Sequence, residues 1–529
     1  MIYSAIYHTN NMNNNDMENL FLGIEFGSTR IKGVIIDKNF KVLAVSSHEW
    51  SSKFEDGYWS YNESEITDGL ADCYLLLKEN FQQKYGVTLK RFNSIGVSGM
   101  MHGYLPLDRN GRLLTRFRTW RNTTAGEAAE ILTQKLHFNM PMRWSAAHLY
   151  QAILNGENHI PKIDKITTLS GYVHFLLTGR YETGVCEASG IFPLSGCDYD
   201  KTMIDTFNAL AEEKGYSLNL SNLLPKVLRA GEKGAVLTAA GAKLIDPDGD
   251  LEAGIPLCPP EGDAASGMVC TNSILPGTGN ISAGTSIFSM LVLDKPIKNV
   301  YPQIDITATP DGLPVAMIHS NNGCSELDFW VRLFGEFAEL IGKPMQIPEL
   351  CETLYRNSLN GREDGGGMTE FNFLAAEPIA DVRHGVPMFM RLPESRGGIS
   401  DFFRTQIYSI FAALRMGNDI LLQKEKISAK KFCAHGGLFK VSGVAQQYLA
   451  DGLNTPVTVM DTAGEGGAWG VAVLAAYMDS DTGKTLAEFL SEDVFKNVKE
   501  KTLYPSDAGV CGFNKFMEGY IDKLKYQRI

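Results

Sequence analysis

The chain has 529 residues, more than one hydrophobic core organises, so at least two domains are expected. Hydrophobic residues make up 44% and charged residues 21%, which excludes a disordered or fibrous chain. A formal charge of -12 excludes the basic footprint of a nucleic-acid or anionic-membrane binder, and no apolar run reaches the roughly 18 residues of a membrane span.

Residues 1–19 are predicted to be a disordered extension, rich in asparagine from Asn10 to Asn15, with Met17 as a second candidate start. They lack the basic-then-apolar pattern of a secretion signal. The nine cysteines include no C-x-x-C pair, which fits reduced thiols and a cytoplasmic location. Apolar runs at 20–26 and 30–36 flank Gly27-Ser28-Thr29 and predict a β-hairpin. A strand at 41–46, a long helix at 63–85 and a buried strand at 92–97 follow. That last strand runs into Ser98-Gly99 and the small, polar loop Met100-Met101-His102-Gly103.

The proline-rich stretch at 256–260 cannot be helical, so Asp263 is placed at a loop-to-helix junction. A second hairpin is predicted around Gly284-Thr285-Ser286, between strands at 280–283 and 287–293. Two hairpins of one pattern, far apart in the chain, predict two domains on one plan, 20–270 and 271–529. Helical periodicity at 401–423 leads to a glycine-rich strand–turn–helix from Phe432 and a small-residue helix at 466–477. The charged tail, 496–529, is read as a surface helix or a partly ordered end.

Several of these places suit phosphate and hydroxyl chemistry. Glu25, at a strand end beside Gly27-Ser28-Thr29, suits a hydrated metal held against phosphates, because glycine lets the backbone approach and hydroxyls add donors. Gly284-Thr285-Ser286 repeats that turn, although either turn alone is equally an ordinary tight hairpin. Asp263 stands among small residues, which leaves room for a hydroxyl whose proton it could accept; as a residue favoured by the helix dipole it is also a plain capping acid. His102 is either a ligand contact or a structural histidine. Gly436-Gly437, followed by Leu438, Phe439 and Lys440 and then by Gln446 and Asp451, would let the chain run flat beneath an adenine or ribose. No G-x-x-x-x-G-K-[ST] loop and no protein-kinase H-R-D or D-F-G element is present, so a nucleotide site would be built another way.

In this order, over residues 20 to about 507, these motifs resemble those of the FGGY family of carbohydrate kinases, within the actin-like ATPase fold. The resemblance implies an α/β protein of two ribonuclease H-type domains with an interdomain cleft for ATP and sugar. It implies ATP contacts at Gly27, Ser28, Thr29, Gly284, Thr285, Ser286, Gly436, Gly437 and Lys440. It further implies Asp263 as general base, Mg²⁺ bound with ATP near Glu25 and Asp263, and sugar contacts at Met101, His102, Trp120, Asn122 and Asp263. Glu465 to Ala472 resembles the small-residue helix that closes the ATP site. Glu25 stands where the family has aspartate, Met100 where xylulokinases have glutamine, and Asn122 and Thr124 where Trp-x-Asp-x-Arg is usual. The Met101-His102-Gly103 loop resembles xylulokinases and the Thr123-Thr124-Ala125 ending resembles ribulokinases, so the expected substrate is a ketopentose phosphorylated at C5. A homodimer is a further expectation. An actin-like ATPase that needs no sugar and a non-catalytic sugar-binding protein are the competing readings.

Overall fold

The computed structural model describes residues 19–460, 466–480 and 482–528. Residues 1–18 of the predicted extension at 1–19 and Glu465 of the small-residue motif lie outside the described residues. The described chain forms two compact units, neither of them continuous in sequence. The first takes in described residues of Met1–Asn272, Thr307–Pro314 and Glu465–Asn497; the second takes in Ser273–Ile306, Val315–Gly464 and Val498–Ile529. The division expected after residue 270 thus lies close to the first crossing, but the chain returns to the first unit twice.

The first unit is built on a five-stranded sheet. Its strands are β1 (Phe21–Phe26), β2 (Arg30–Ile36), β3 (Val42–Glu49), β4 (Ser94–Gly99) and the two-residue β5 (Glu261–Gly262), in spatial order β5-β4-β1-β2-β3. β1, β2 and β3 form an antiparallel meander, while β4 runs parallel to β1 and β5 parallel to β4. Helix α1 (Glu63–Tyr85) covers the sheet with Ile66, Leu70, Cys73, Tyr74, Leu77 and Phe81, apolar positions at helical spacing. It starts where the Asn62 N–H donates to Glu65 Oε2 at 2.9 Å and stops at Gly86. Between β4 and β5 the chain inserts helices packed around Trp144, Tyr150, Phe192 and Phe207.

The other face of this sheet carries the helix Gly467–Asp479, which arrives from nearly two hundred residues further along the chain. It lies so close that a Cβ at Gly23 of β1 would stand 2.0 Å from the Ala468 carbonyl oxygen, and one at Gly96 of β4 2.4 Å from that of Val471. Small residues on both sides therefore let backbone pack on backbone. At the surface of the unit the Lys78 ammonium, on α1, is caged by three carboxylates of the Asp246-Pro247-Asp248-Gly249-Asp250 loop. Its distances are 3.0 Å to Asp246, 3.2 Å to Asp248 and 2.7 Å to Asp250.

The second unit repeats the plan on a larger sheet. Its strands are β6 (Thr278–Ala283), β7 (Ile287–Val292), β8 (Asp305–Ala308), β9 (Pro314–Ser320), β10 (Lys431–His435), β11 (Val457–Met460) and β12 (Glu500–Leu503), in spatial order β8-β9-β7-β6-β10-β11-β12. β6 and β7 form the second hairpin, and β10 runs parallel to β6 as β4 does to β1. The predicted helix at 401–423 is Ile399–Asp419, followed by a wider turn at Ile420–Lys424.

The tail is not a loose end, and the expected helix is present with one face exposed and the other anchored in the core. The tail supplies β12, paired antiparallel with β11, and the helix Asp507–Lys523, whose Phe513, Phe516 and Tyr520 enter the core. Lys496, Lys499, Glu500 and Lys501 hide this in the sequence, because an edge strand can carry charges on its open side. The nine cysteines form no disulfide. Among the described residues, no helix is long and apolar enough to cross a membrane.

Candidate active site

Strand register gathers three connections at one edge of the first sheet. Phe26 of β1 pairs with Gly99 of β4, and Gly99 pairs with Gly262 of β5. The Gly27-Ser28-Thr29 turn, the 100–103 loop and Asp263 therefore all leave from the carboxyl ends of neighbouring strands, where open α/β sheets place their ligands. Asp263 opens the helix Asp263–Cys270.

The turn is arranged to present donors. The Gly27 carbonyl accepts the Trp50 indole N–H at 2.7 Å, the Ser28 carbonyl accepts the Tyr61 hydroxyl at 2.6 Å, and the Thr29 carbonyl accepts the Trp50 backbone N–H at 3.1 Å. With its acceptors tied back and Ser28 and Thr29 exposed, the open face of the turn favours an anion.

Glu25, Gly27, Ser28, Thr29, Lys32 and Asp263 line one open pocket of about 720 Å³. Burial raises the Glu25 carboxyl above the usual range, against the Lys32 ammonium and the N–H groups of Ala468 and Gly467 at the start of the small-residue helix. Burial likewise raises Asp263, to about 6, and the Glu25 charge adds to that push while the Met101 and Ala264 N–H groups oppose it. The Asp263 side chain is nevertheless exposed to the open pocket, so water screens part of this effect. Its Oδ1 accepts the Met101 N–H at 3.4 Å. Glu25 and Asp263 both face this pocket, two carboxylates of the kind a hydrated divalent cation accepts.

Lys32 was not expected from the sequence. It stands directly across the hairpin from Glu25, so counting back from the Gly27-Ser28-Thr29 turn was the signal that could have found it. Arg30, Glu49, Trp50 and Ser51 complete the lining.

The expected sugar residues fall less uniformly. His102 is buried and adopts a left-handed backbone with φ of 69°, a strain that collects at functional sites. Its ring stacks near Trp144 with centroids 6.0 Å apart, and Nδ1 lies 3.4 Å from the Gly190 carbonyl. Trp120 is 38% exposed and lines no part of the pocket. Asn122 is buried and engaged: its Oδ1 accepts the Trp59 N–H at 2.7 Å and its amide donates to the Trp59 and Thr119 carbonyls at 2.8 and 3.0 Å. It ties its loop to the 58–60 strand.

In the second unit, Ser282 of β6 pairs with His435 of β10, so Gly284-Thr285-Ser286 and Gly436-Gly437 follow neighbouring carboxyl ends. The turn repeats the first one's logic, with the Gly284 carbonyl accepting the Cys324 N–H and the Thr285 carbonyl the Gly323 N–H, both at 2.8 Å. Gly436 has φ of 115°, and a Cβ there would meet the Ala283 carbonyl oxygen at 2.1 Å, so only glycine fits. Lys440 is exposed. Gln446 and Asp451 are structural ties: Gln446 donates to the Val457 and Lys501 carbonyls at 2.8 and 2.7 Å, and Asp451 accepts the Ser506 N–H at 2.7 Å.

The xylulose kinase of Haemophilus influenzae is 23% identical over 521 residues, spanning 96% of this chain and 99% of that protein. Among solved structures, a xylulose kinase from Lactobacillus acidophilus superposes with a TM-score of 0.78 at 18% identity, over 96% of this chain and 98% of its own. A gluconate kinase from the same organism gives 0.77 at 18% identity over the same shares. The fold is thus the two-domain α/β architecture of the actin-like ATPases, shared by kinases of different acceptors. The N-terminal domain of the FGGY family of carbohydrate kinases matches residues 20–270 and its C-terminal domain matches residues 279–478, and the chain belongs to that family.

Proposed function

We propose that this carbohydrate kinase moves the γ-phosphate of ATP to the C5 hydroxyl of a ketopentose, xylulose or ribulose. The observation that carries the reading is Asp263, placed at the opening of a helix in the same pocket as the donor-lined Gly27-Ser28-Thr29 turn. The Met101-His102-Gly103 loop and the full-length likeness to xylulose kinases support the choice of sugar.

Asp263 takes the proton of the acceptor hydroxyl as its oxygen attacks the γ-phosphorus, and ADP leaves. The Met101 N–H holds Oδ1 of the carboxylate in place. The exposed turn and the Lys32 ammonium face the phosphoryl oxygens, whose charge spreads in the transition state. Gly284, Thr285 and Ser286, with Gly436, Gly437 and Lys440, are read as the nucleotide contacts of the second unit. Mg²⁺, when bound with ATP, neutralises phosphate charge, and Glu25 and Asp263 are the residues that would hold it.

A coupled ADP-release assay with D-xylulose, L-xylulose, D-ribulose, L-ribulose, gluconate and glycerol tests the reading. One ketopentose is expected to exceed gluconate and glycerol in kcat/KM by at least about tenfold. A preference for gluconate or glycerol, or equally fast ATP hydrolysis without any acceptor, would rule out a ketopentose kinase. Lys32→Met is expected to lower kcat about 10- to 100-fold with the sugar KM changed less than about threefold. An unchanged kcat would remove Lys32 from the phosphate site.

A further inference from the structure

Behind Asp263 lie two acids that the proposed reaction leaves unused. Glu261 begins β5, and Glu187 belongs to the short helix α2 (Val185–Ser189); both are buried. The Glu187 backbone N–H donates to Glu261 Oε2 at 3.0 Å. The Glu187 side chain reaches the other way, over Gly262, where a Cβ would stand 2.5 Å from Glu187 Oε2.

Met101 presses on the same spot, its Cγ 2.2 Å from that Cβ position. The residue before Asp263 is therefore held between Glu187 and Met101, and the Met101 N–H in turn meets Asp263 Oδ1 at 3.4 Å. The segment that follows α2 braces the other loop. The Gly190 carbonyl lies 3.4 Å from His102 Nδ1, and a Cβ at Gly190 would be 3.0 Å from Met101 Cε. One short stretch of chain thus touches two of the three connections that leave the sheet beside the pocket, the 100–103 loop and the segment that carries Asp263.

The buried Glu187 carboxyl faces the Thr168 and Ser170 hydroxyls. A polar group buried in this way costs stability, so its presence calls for a use. Packing against a glycine leaves no slack: a change of one methylene in the wedge is passed straight to the backbone that carries Asp263.

We propose that Glu187 is a positioning residue which, through Gly262 and Met101, fixes the Asp263 carboxylate against the acceptor hydroxyl. This rests on Asp263 being the base. Three variants of the full-length protein test it, with kcat, both KM values and thermal midpoints measured on the fastest sugar of the panel above. Glu187→Gln keeps the shape and is expected within about threefold of wild type. Glu187→Asp, one methylene shorter, is expected to lose about tenfold in kcat, and Glu187→Ala about 30- to 100-fold, with the ATP KM within about twofold throughout. Should the alanine variant not fold, the aspartate variant carries the comparison.

Folded Asp and Ala variants with wild-type kcat, alongside an inactive Asp263→Asn, would overturn the positioning role alone. Equal losses for Gln and Ala would point to charge rather than shape and overturn it as well. Full activity in Asp263→Asn would remove the base and this role together.

Discussion

Asp263→Asn is expected to bind ATP about as tightly as wild type and to phosphorylate sugar at least about a thousandfold more slowly. General-base assistance contributes about 10²- to 10⁴-fold, and the amide can hold the Met101 N–H but cannot accept the hydroxyl proton. The same side chain sets the pH dependence. Its carboxyl is held up at about 6, chiefly by burial and then by Glu25. Only the ionised form accepts a proton, so wild-type kcat/KM should rise through about pH 6 and level off above it, and the residual rate of the Asn variant should lack that limb. Stability should move in the opposite sense. A carboxyl whose folded value lies above its unfolded one weakens the fold where it is ionised, from about pH 4 upward. The Asn variant should therefore melt no earlier than wild type at pH 7. Calorimetric titration with ATP, a pH-rate profile and a thermal melt check the three claims. Near-normal turnover would sink the assignment.

The second large effect concerns stability. Lys78→Met is expected to destabilise the first unit by about 3 kcal/mol. The lysine side chain is only 7% exposed and Asp246 is 0% exposed, so removing the ammonium strands a buried carboxylate. Asp248 and Asp250 are 64% and 42% exposed and can rehydrate, which places the cost at the low end for a broken buried pair. Asp246 keeps the N–H groups of Asp250 and Leu251, both at 2.9 Å, so the loop need not unravel. The carboxylates raise the Lys78 ammonium above its ordinary range, so its contribution is present at neutral pH and fades only as the solution becomes strongly alkaline. Chemical denaturation of wild type and variant at pH 7 checks the magnitude. A loss below about 0.5 kcal/mol would show the cage to be an ordinary surface network.

Glycine and proline punctuation made much of this molecule legible before any coordinates. Both hairpins follow from apolar runs around glycine turns, and α1 follows from an apolar face closed by Asn62 and Gly86. Asp263 at the start of a helix follows from the prolines before it. What escaped depends on partners distant in sequence. Nothing near Asn122 announces that Trp59 engages its amide. The two-residue strand Glu261–Gly262 is too short to show a period, yet its register with β4 brings Asp263 to the pocket. Lys32 needed the hairpin register, and the buried pair Glu187 and Glu261 breaks the pattern that keeps acids outside. The tail misled because charges at 496–501 outweighed four core residues at helical spacing after them.

The helix at Gly467–Asp479 also has a consequence for how the chain is made. When the ribosome has completed the first 272 residues, every strand of the first sheet exists, but the face at Gly23 and Gly96 lacks its cover. Roughly 200 further residues must be synthesised, which at about 5–20 residues per second takes on the order of 10–40 s. Through that interval the strands carrying Gly23 and Gly96 have no helix to exclude water from that face, so the first unit cannot complete its fold until the chain is nearly finished.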